Sequence, residues 1–203
     1  MRAVVVSPPD PIVMPDEISG SHDANDPVVA ALIAAVTEEI AGPGGYLNRS
    51  LGLQTIRATA WCFEDGMTLP AGPVTDIESV TYLDANGDEQ TVDPANYRLS
   101  GDRLYAVGGY VFPTTLVADD AVRVTYNAGY DGIVTGAVPE RARSAIILSV
   151  QSLKAGMAIE NVFLKTDVVE GVGRQEYVLT EQATAAVQAT CRRLLSTLWI
   201  PVV

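Results

Sequence analysis

Three features of this 203-residue sequence predict an α+β protein, a helical scaffold of three main helices with an inserted small antiparallel β lobe. Apolar residues recur at helical spacing in three separate stretches. They alternate with a period of two between about residues 52 and 127, and Asn86-Gly87 places a hairpin turn inside that alternating region.

The first helix opens at Asp26, an N-cap candidate, with Pro27 at the first helical position. Val29, Leu32, Ile33, Val36 and Ile40 then form one apolar face, and Gly42-Pro43-Gly44-Gly45 stops the pattern. Burying five such side chains is worth about 1.5 to 3 kcal/mol each. The face therefore needs a partner, either within the fold or in a neighbouring subunit.

Strands are read at Gln54 to Phe63, Asp76 to Leu83, Gln90 to Val92, Tyr97 to Leu99, Arg103 to Val107 and Ala121 to Tyr126. With the turn at Asp84-Ala85-Asn86-Gly87-Asp88 they suggest an antiparallel meander in which Trp61 points into the core. Pro139 opens a second helix with Ile146, Val150, Leu153 and Met157 at i, i+4, i+7 and i+11. A third helix runs from about Glu181 to Thr197. Its stripe is Val187, Cys191, Leu194, Leu195 and Leu198, and Arg192 and Arg193 complement the helix dipole near its end. Between these helices Asn161 to Leu179 reads as a long connection of the kind that functions as a binding loop or is ordered by a partner. The expected organisation is an N-terminal arm and first helix (1–50), the β lobe (51–138), and the remaining helices, connecting loop and tail (139–203). Val29 to Ile40 together with Ile146, Val150 and Leu153 make the helical core.

Charge narrows the function classes. Thirteen Lys and Arg against 25 Asp and Glu give a net charge of -12, which argues against a protein that grips nucleic acid through a broad basic face. The charge is divided unequally, -13 over residues 1–138 and +1 over 139–203. No apolar run approaches the roughly 18 residues of a membrane span. The start of the chain carries no readable signal peptide, and the two cysteines, Cys62 and Cys191, read as buried free thiols, so an intracellular setting is expected.

Catalytic patterns are absent from the sequence. His22 is the only histidine, lies in a polar stretch without a zinc-type spacing, and reads as a solvated loop residue. No G-x-S-x-G elbow occurs. Asp84-x-Asn86-x-Asp88 begins like a calcium loop but has Gly at position 4 and Ala95 where a bidentate Glu is needed, so the hairpin reading is preferred. Gly171-x-Gly173 lacks the third glycine of a dinucleotide fingerprint and reads as a flexible loop, while Glu38-Glu39 and Glu64-Asp65 read as solvated surface. No catalytic residue, cofactor or metal is assigned, and the protein is expected not to be an enzyme.

The C-terminus is the exception to this blandness. Leu198-Trp199-Ile200-Pro201-Val202-Val203 carries no charged side chain, and Pro201 makes its end extended. Either it folds back on its own core, or Trp199 and Ile200 anchor in a groove of another protein, as aromatic hot spots do.

Three stretches carry a family likeness. They are Asp76 to Arg98 (DIESVTYLDANGDEQTVDPANYR), Asp120 to Tyr130 (DAVRVTYNAGY) and Val138 to Leu148 (VPERARSAIIL). In this order, following the helix at Asp26 to Ala41, the sequence resembles head-tail connector (adaptor) proteins of long-tailed bacteriophages, prophages and phage-derived particles. The likeness runs from about residue 26 to 155, and no residues are matched within Asn161 to Leu179. It implies a structural virion protein forming a dodecameric ring below the portal, in the head-tail neck. Helices would form the ring, with the β lobe carried outward. It also implies a portal protein as partner, a stopper or tail protein below, DNA passing through without sequence-specific binding during ejection, and assembly in the bacterial cytoplasm. In related connectors a C-terminal segment inserts into the portal, which would give Leu198 to Val203 its groove. An acidic wall suits such a passage, because it keeps the genome from sticking. Two other readings stay open. One is another neck or tail component, such as a stopper or tail-completion protein. The other is a carbohydrate-binding β-sheet module or enzyme with Trp61, Tyr82, Tyr105 and Tyr110 as a stacking surface.

Overall fold

A computed structural model describes residues 1–20, 22–160, 167–169, 173–175 and 181–201. The α+β class is as expected, with three α-helices and antiparallel sheets among the described residues. The chain divides into two compact units. One comprises Met1–Ile12, Glu38–Val138 and Leu198–Val203, and the other Val13–Thr37 and Pro139–Thr197.

The first unit holds two sheets. Strands β1 (Arg2–Ser7), β2 (Gln54–Ala60), β4 (Val74–Leu83), β5 (Glu89–Thr91) and β8 (Val122–Ala128) form one, in the order β1-β2-β8-β4-β5. Strands β3 (Met67–Thr68), β6 (Tyr97–Ser100) and β7 (Arg103–Ala106) form the other, in the order β3-β7-β6. The expected meander is corrected. The local turn fixes only the β4-β5 pair, whereas β8 returns from far along the chain to sit between β2 and β4. The expected N-terminal arm is corrected as well, because Arg2–Ser7 pairs along β2 as an edge strand.

Alternation explains the core. On β2 and β8 every second residue is buried, so Ile56, Ala58, Val122, Val124, Tyr126 and Ala128 point inward. They meet Val80 and Val92 and, from the second sheet, Met67 and Leu104 in one cluster. Tyr126 is fully buried, its hydroxyl donates to the Pro70 carbonyl at 2.6 Å, and burial pushes its pKa up, with Asp102 adding to the effect. A second polar pair supports the start of β2. The buried Gln54 Nε2 donates to Ser50 Oγ at 2.7 Å, and Ser50 Oγ donates to the Ala71 carbonyl at 2.6 Å.

The turn between β4 and β5 forms as read. Asp84 Oδ1 accepts from the amides of Asn86 (2.8 Å) and Asp88 (3.1 Å), which holds its carboxyl below the usual range, and Gly87 takes the φ of +88° that the turn requires. Trp61 lies just past the end of β2 and is 64% exposed, so the expectation of a core residue fails because alternation stops at Ala60.

The second unit is helical. Helix α1 (Pro27–Ile40), which belongs to it through Thr37, is capped by Asp26, whose Oδ1 accepts from Val28 N at 2.8 Å and Val29 N at 3.2 Å. Val29, Ile33, Val36 and Ile40 are buried and Leu32 is half-buried. Helices α2 (Glu140–Glu160) and α3 (Glu181–Leu195) pack antiparallel, with Arg141 bonded to Thr197 and the Cys191 thiol 3.7 Å from the Ala145 carbonyl. Ala142, Ala145, Ile146 and Val150 are fully buried, but Leu153 is 47% exposed. The helical period correctly places Leu153 beside Ile146 and Val150, yet it carries no information on how far along the face the cover extends. Facing that half of α2, Ala185 and Ala186 of α3 are exposed and Val187 is only half-buried.

Part of the connection expected between α2 and α3 is regular. β9 (Asp167–Val169) and β10 (Gly173–Gln175) pair antiparallel, so Gly173, read as loop, opens a strand. Gly171 lies outside the described residues.

Candidate interaction surfaces

Among the described residues no group of three or more His, Cys, Asp or Glu side chains could hold a metal ion. Both thiols are free, and Cys191 is buried as expected, but Cys62 is only half-buried because it lies past the end of β2. His22 is half-buried, contrary to the solvated residue expected. Its Nε2 lies 2.7 Å from the Pro15 carbonyl and its Nδ1 2.8 Å from Lys154 Nζ. A carbonyl can only accept, so Nε2 carries the proton and Nδ1 accepts from the lysine. The ring thus ties α2 to the segment before α1, which is a structural task.

Three surfaces of the first unit are built to present apolar groups. The first is the C-terminal tail, which follows α3 and lies along its own unit. Arg49 Nε donates to the Leu198 carbonyl at 3.1 Å and its Nη1 to the Tyr130 hydroxyl at 3.0 Å, while Ile200 N donates to the Leu47 carbonyl at 3.1 Å. Leu198 and Ile200 are half-buried, Pro201 is exposed and Trp199 is 53% exposed. Val202 and Val203 lie outside the described residues. The tail backbone is held on both sides of Trp199, and its indole stays about half exposed.

The second is a tip between β8 and α2. Asp131 Oδ1 accepts from the amides of Ile133 (2.9 Å), Val134 (2.9 Å) and Thr135 (3.0 Å), and from Thr135 Oγ1 at 3.0 Å. These bonds, led by the Thr135 amide, hold the carboxyl at about 2 instead of 3.8. Gly132 N closes the loop on the Gly136 carbonyl at 3.0 Å, and Thr135 Oγ1 also lies 2.8 Å from the Gly129 carbonyl, so its one hydroxyl proton is shared between that carbonyl and the Asp131 carboxylate. At its base Gly129 has φ +135°, and a Cβ there would collide with the Gly52 carbonyl, so only glycine fits. The ordered loop holds Ile133 88% and Val134 74% exposed.

The third is an open trough of about 720 Å³ lined by Trp61, Cys62, Phe63, Tyr110, Phe112 and Val117 among others. Phe63 stacks on Phe112 with centroids 4.5 Å apart, and Tyr82 and Tyr110 pack edge-on against this pair at 5.7 Å. Tyr105 sits apart, under the Arg98 guanidinium at 5.1 Å. Three of the four aromatics offered as a glycan-stacking surface are half-buried, and Tyr82 and Tyr110 have their edges taken up by neighbouring rings. Asp65 is the charged member of the lining, and nearby Asp120 is paired with Arg123 at 2.7 Å, which holds its carboxyl low.

The tail was legible in the sequence as an uncharged run. The tip and the trough were not. Ile133 and Val134 lie in a short Gly-flanked loop without periodicity, and the trough joins residues about 50 positions apart.

No protein-family model matches the sequence, and no characterised protein matches it significantly. Solved structures do match. The chain is similar over its whole length to a chain in the neck of an empty gene transfer agent (GTA) particle computed with C6 symmetry (19% identity, 97% of that chain covered, TM-score 0.62). It is equally similar to a chain in the neck of the native particle computed with C12 symmetry (20%, 97%, 0.61) and to one in the native virion (20%, 98%, 0.61). The fold is therefore one found in the neck of a gene transfer agent particle, in line with the connector resemblance read from the sequence. No described helix is long and apolar enough to cross a membrane.

Proposed function

We propose that this chain is a non-enzymatic structural protein that forms a ring in the head-tail neck of a phage-like particle, below the portal. It links capsid to tail there and lines the DNA passage. The observation that carries the reading is the end-to-end likeness to neck components, which covers all of this chain and at least 97% of each of theirs. The connector resemblance, together with the C12 symmetry of the native particle's neck, makes twelve copies the expected number. The net charge of -12 suits a wall past which DNA must slide.

The tail supplies the portal contact. Its backbone is fixed by Arg49 and Leu47 while Trp199 stays exposed, which lowers the ordering cost of binding and leaves an aromatic anchor free. Many such tails in one ring act as one avid unit, so each need contribute only modestly. Deleting residues 198–203 is expected to leave a folded protein that no longer co-sediments with portal-bearing heads. Undiminished attachment would rule out the docking role, and attachment to the tail side instead would make the chain a stopper or tail-completion component.

A further inference from the structure

We infer that the Ile133–Val134 tip of one copy seats in the aromatic trough of the next, so that this pair of surfaces is the repeated contact of the ring; this rests on the ring reading above. The tip and the trough lie at opposite ends of the same strands. In the β2-β8 register Gln54 faces Ala128 at one end and Ala60 faces Val122 at the other. The tip leaves from Ala128, whereas Trp61, Cys62 and Phe63 follow Ala60, and the loop carrying Phe112 and Val117 leads into Val122. Seven residues of β8 separate them, about 24 Å at roughly 3.4 Å per residue. Two unlike patches at opposite poles make a heterologous contact, the kind that closes into rings.

Charge favours a second copy as occupant. The unit bearing both patches holds 15 carboxylates against 6 arginines, so copies repel wherever charged faces meet. Gly132 to Val138 carries no charge, and Asp65 is the one charged residue in the trough lining, which otherwise combines aromatic and aliphatic side chains with the uncharged Cys62, Thr114 and Thr115. Shape agrees, because the Asp131 bonds fix the tip as a blunt projection of two aliphatic side chains and the trough is open and concave. A contact of this kind buries on the order of 500 Å², below the roughly 1,200 Å² of a stable pair, so it holds only when repeated around a closed ring or templated by a partner ring.

The native thiol in the trough provides the test. The full-length Val134→Cys variant is assembled on portal-bearing heads and treated with copper-phenanthroline as oxidant. Cys62 of one copy and the thiol introduced into the tip of the next are then expected to join. The result is a covalent ladder of dimers and higher multimers on non-reducing gels. Adding Cys62→Ser abolishes the ladder, and the buried Cys191 does not replace it. The double variant Ile133→Asp, Val134→Asp keeps the wild-type melting temperature but loses at least tenfold in ring yield. Rings seen by electron microscopy without a ladder, or with the introduced thiol joined to the portal instead, overturn this contact and leave the ring reading intact. No ring in any sample overturns both.

Discussion

Replacing Trp199 with alanine separates docking from folding. An indole side chain offers about 200 Å², and 53% exposure leaves roughly half of that outside the protein. Covering about 100 Å² at roughly 25 cal/mol/Å² is worth about 2.5 kcal/mol per subunit, or about seventyfold in the affinity of a single tail for its groove. The share already covered caps the folding cost at about 2 kcal/mol. In a chain of this size that lowers Tm by about 4 to 8 °C. The assay is binding of the isolated full-length chain to purified portal at low occupancy, where one tail is measured at a time, beside a thermal melt. A variant that binds within threefold of wild type, or that unfolds at room temperature, would refute the claim that the exposed indole face makes the contact.

Other perturbations probe the supporting structure. Arg49→Ala removes donors to Leu198 and Tyr130 and should cost about 1 to 2 kcal/mol, read as faster hydrogen exchange at the Ile200 amide with the sheet amides unchanged. Tyr126→Phe leaves the Pro70 carbonyl without its donor in the core and should destabilise by about 1 to 3 kcal/mol in urea unfolding with an unchanged m-value. Because Asp131 titrates lower in the folded chain (about 2) than when unfolded (near 3.8), its ordering effect is fully present above about pH 4. It is lost as the pH falls through 2. The Ile133 and Val134 methyl resonances should shift across that window, and in Asp131→Asn they should not.

Local signals in the sequence carried much of the architecture. The Asp26 cap, the Asn86-Gly87 turn and the alternation on β2 and β8 are each set by neighbours a few residues away, and each forms where its chemistry predicts. Non-local pairing was hidden. Nothing in Val122–Ala128 announces that it separates β2 from β4, and in the edge strand Arg2–Ser7 only Ala3 reaches the core while Val4, Val5 and Val6 stay exposed, so no alternation marks it. Trp61 and Leu153 show the same limit from the side of burial, since residue type and period say what can be covered and only the fold decides what is. For the surfaces, the uncharged tail was visible as composition, whereas the Asp131-braced tip and the aromatic trough depend on loop geometry.

If unlike faces of identical copies fit together around a portal, native mass measurement of the full-length protein, alone and then mixed with purified portal rings, should show a single chain of 21.5 kDa in isolation and a twelve-copy assembly on the portal. A chain that stays monomeric at saturating portal would rule that assembly out.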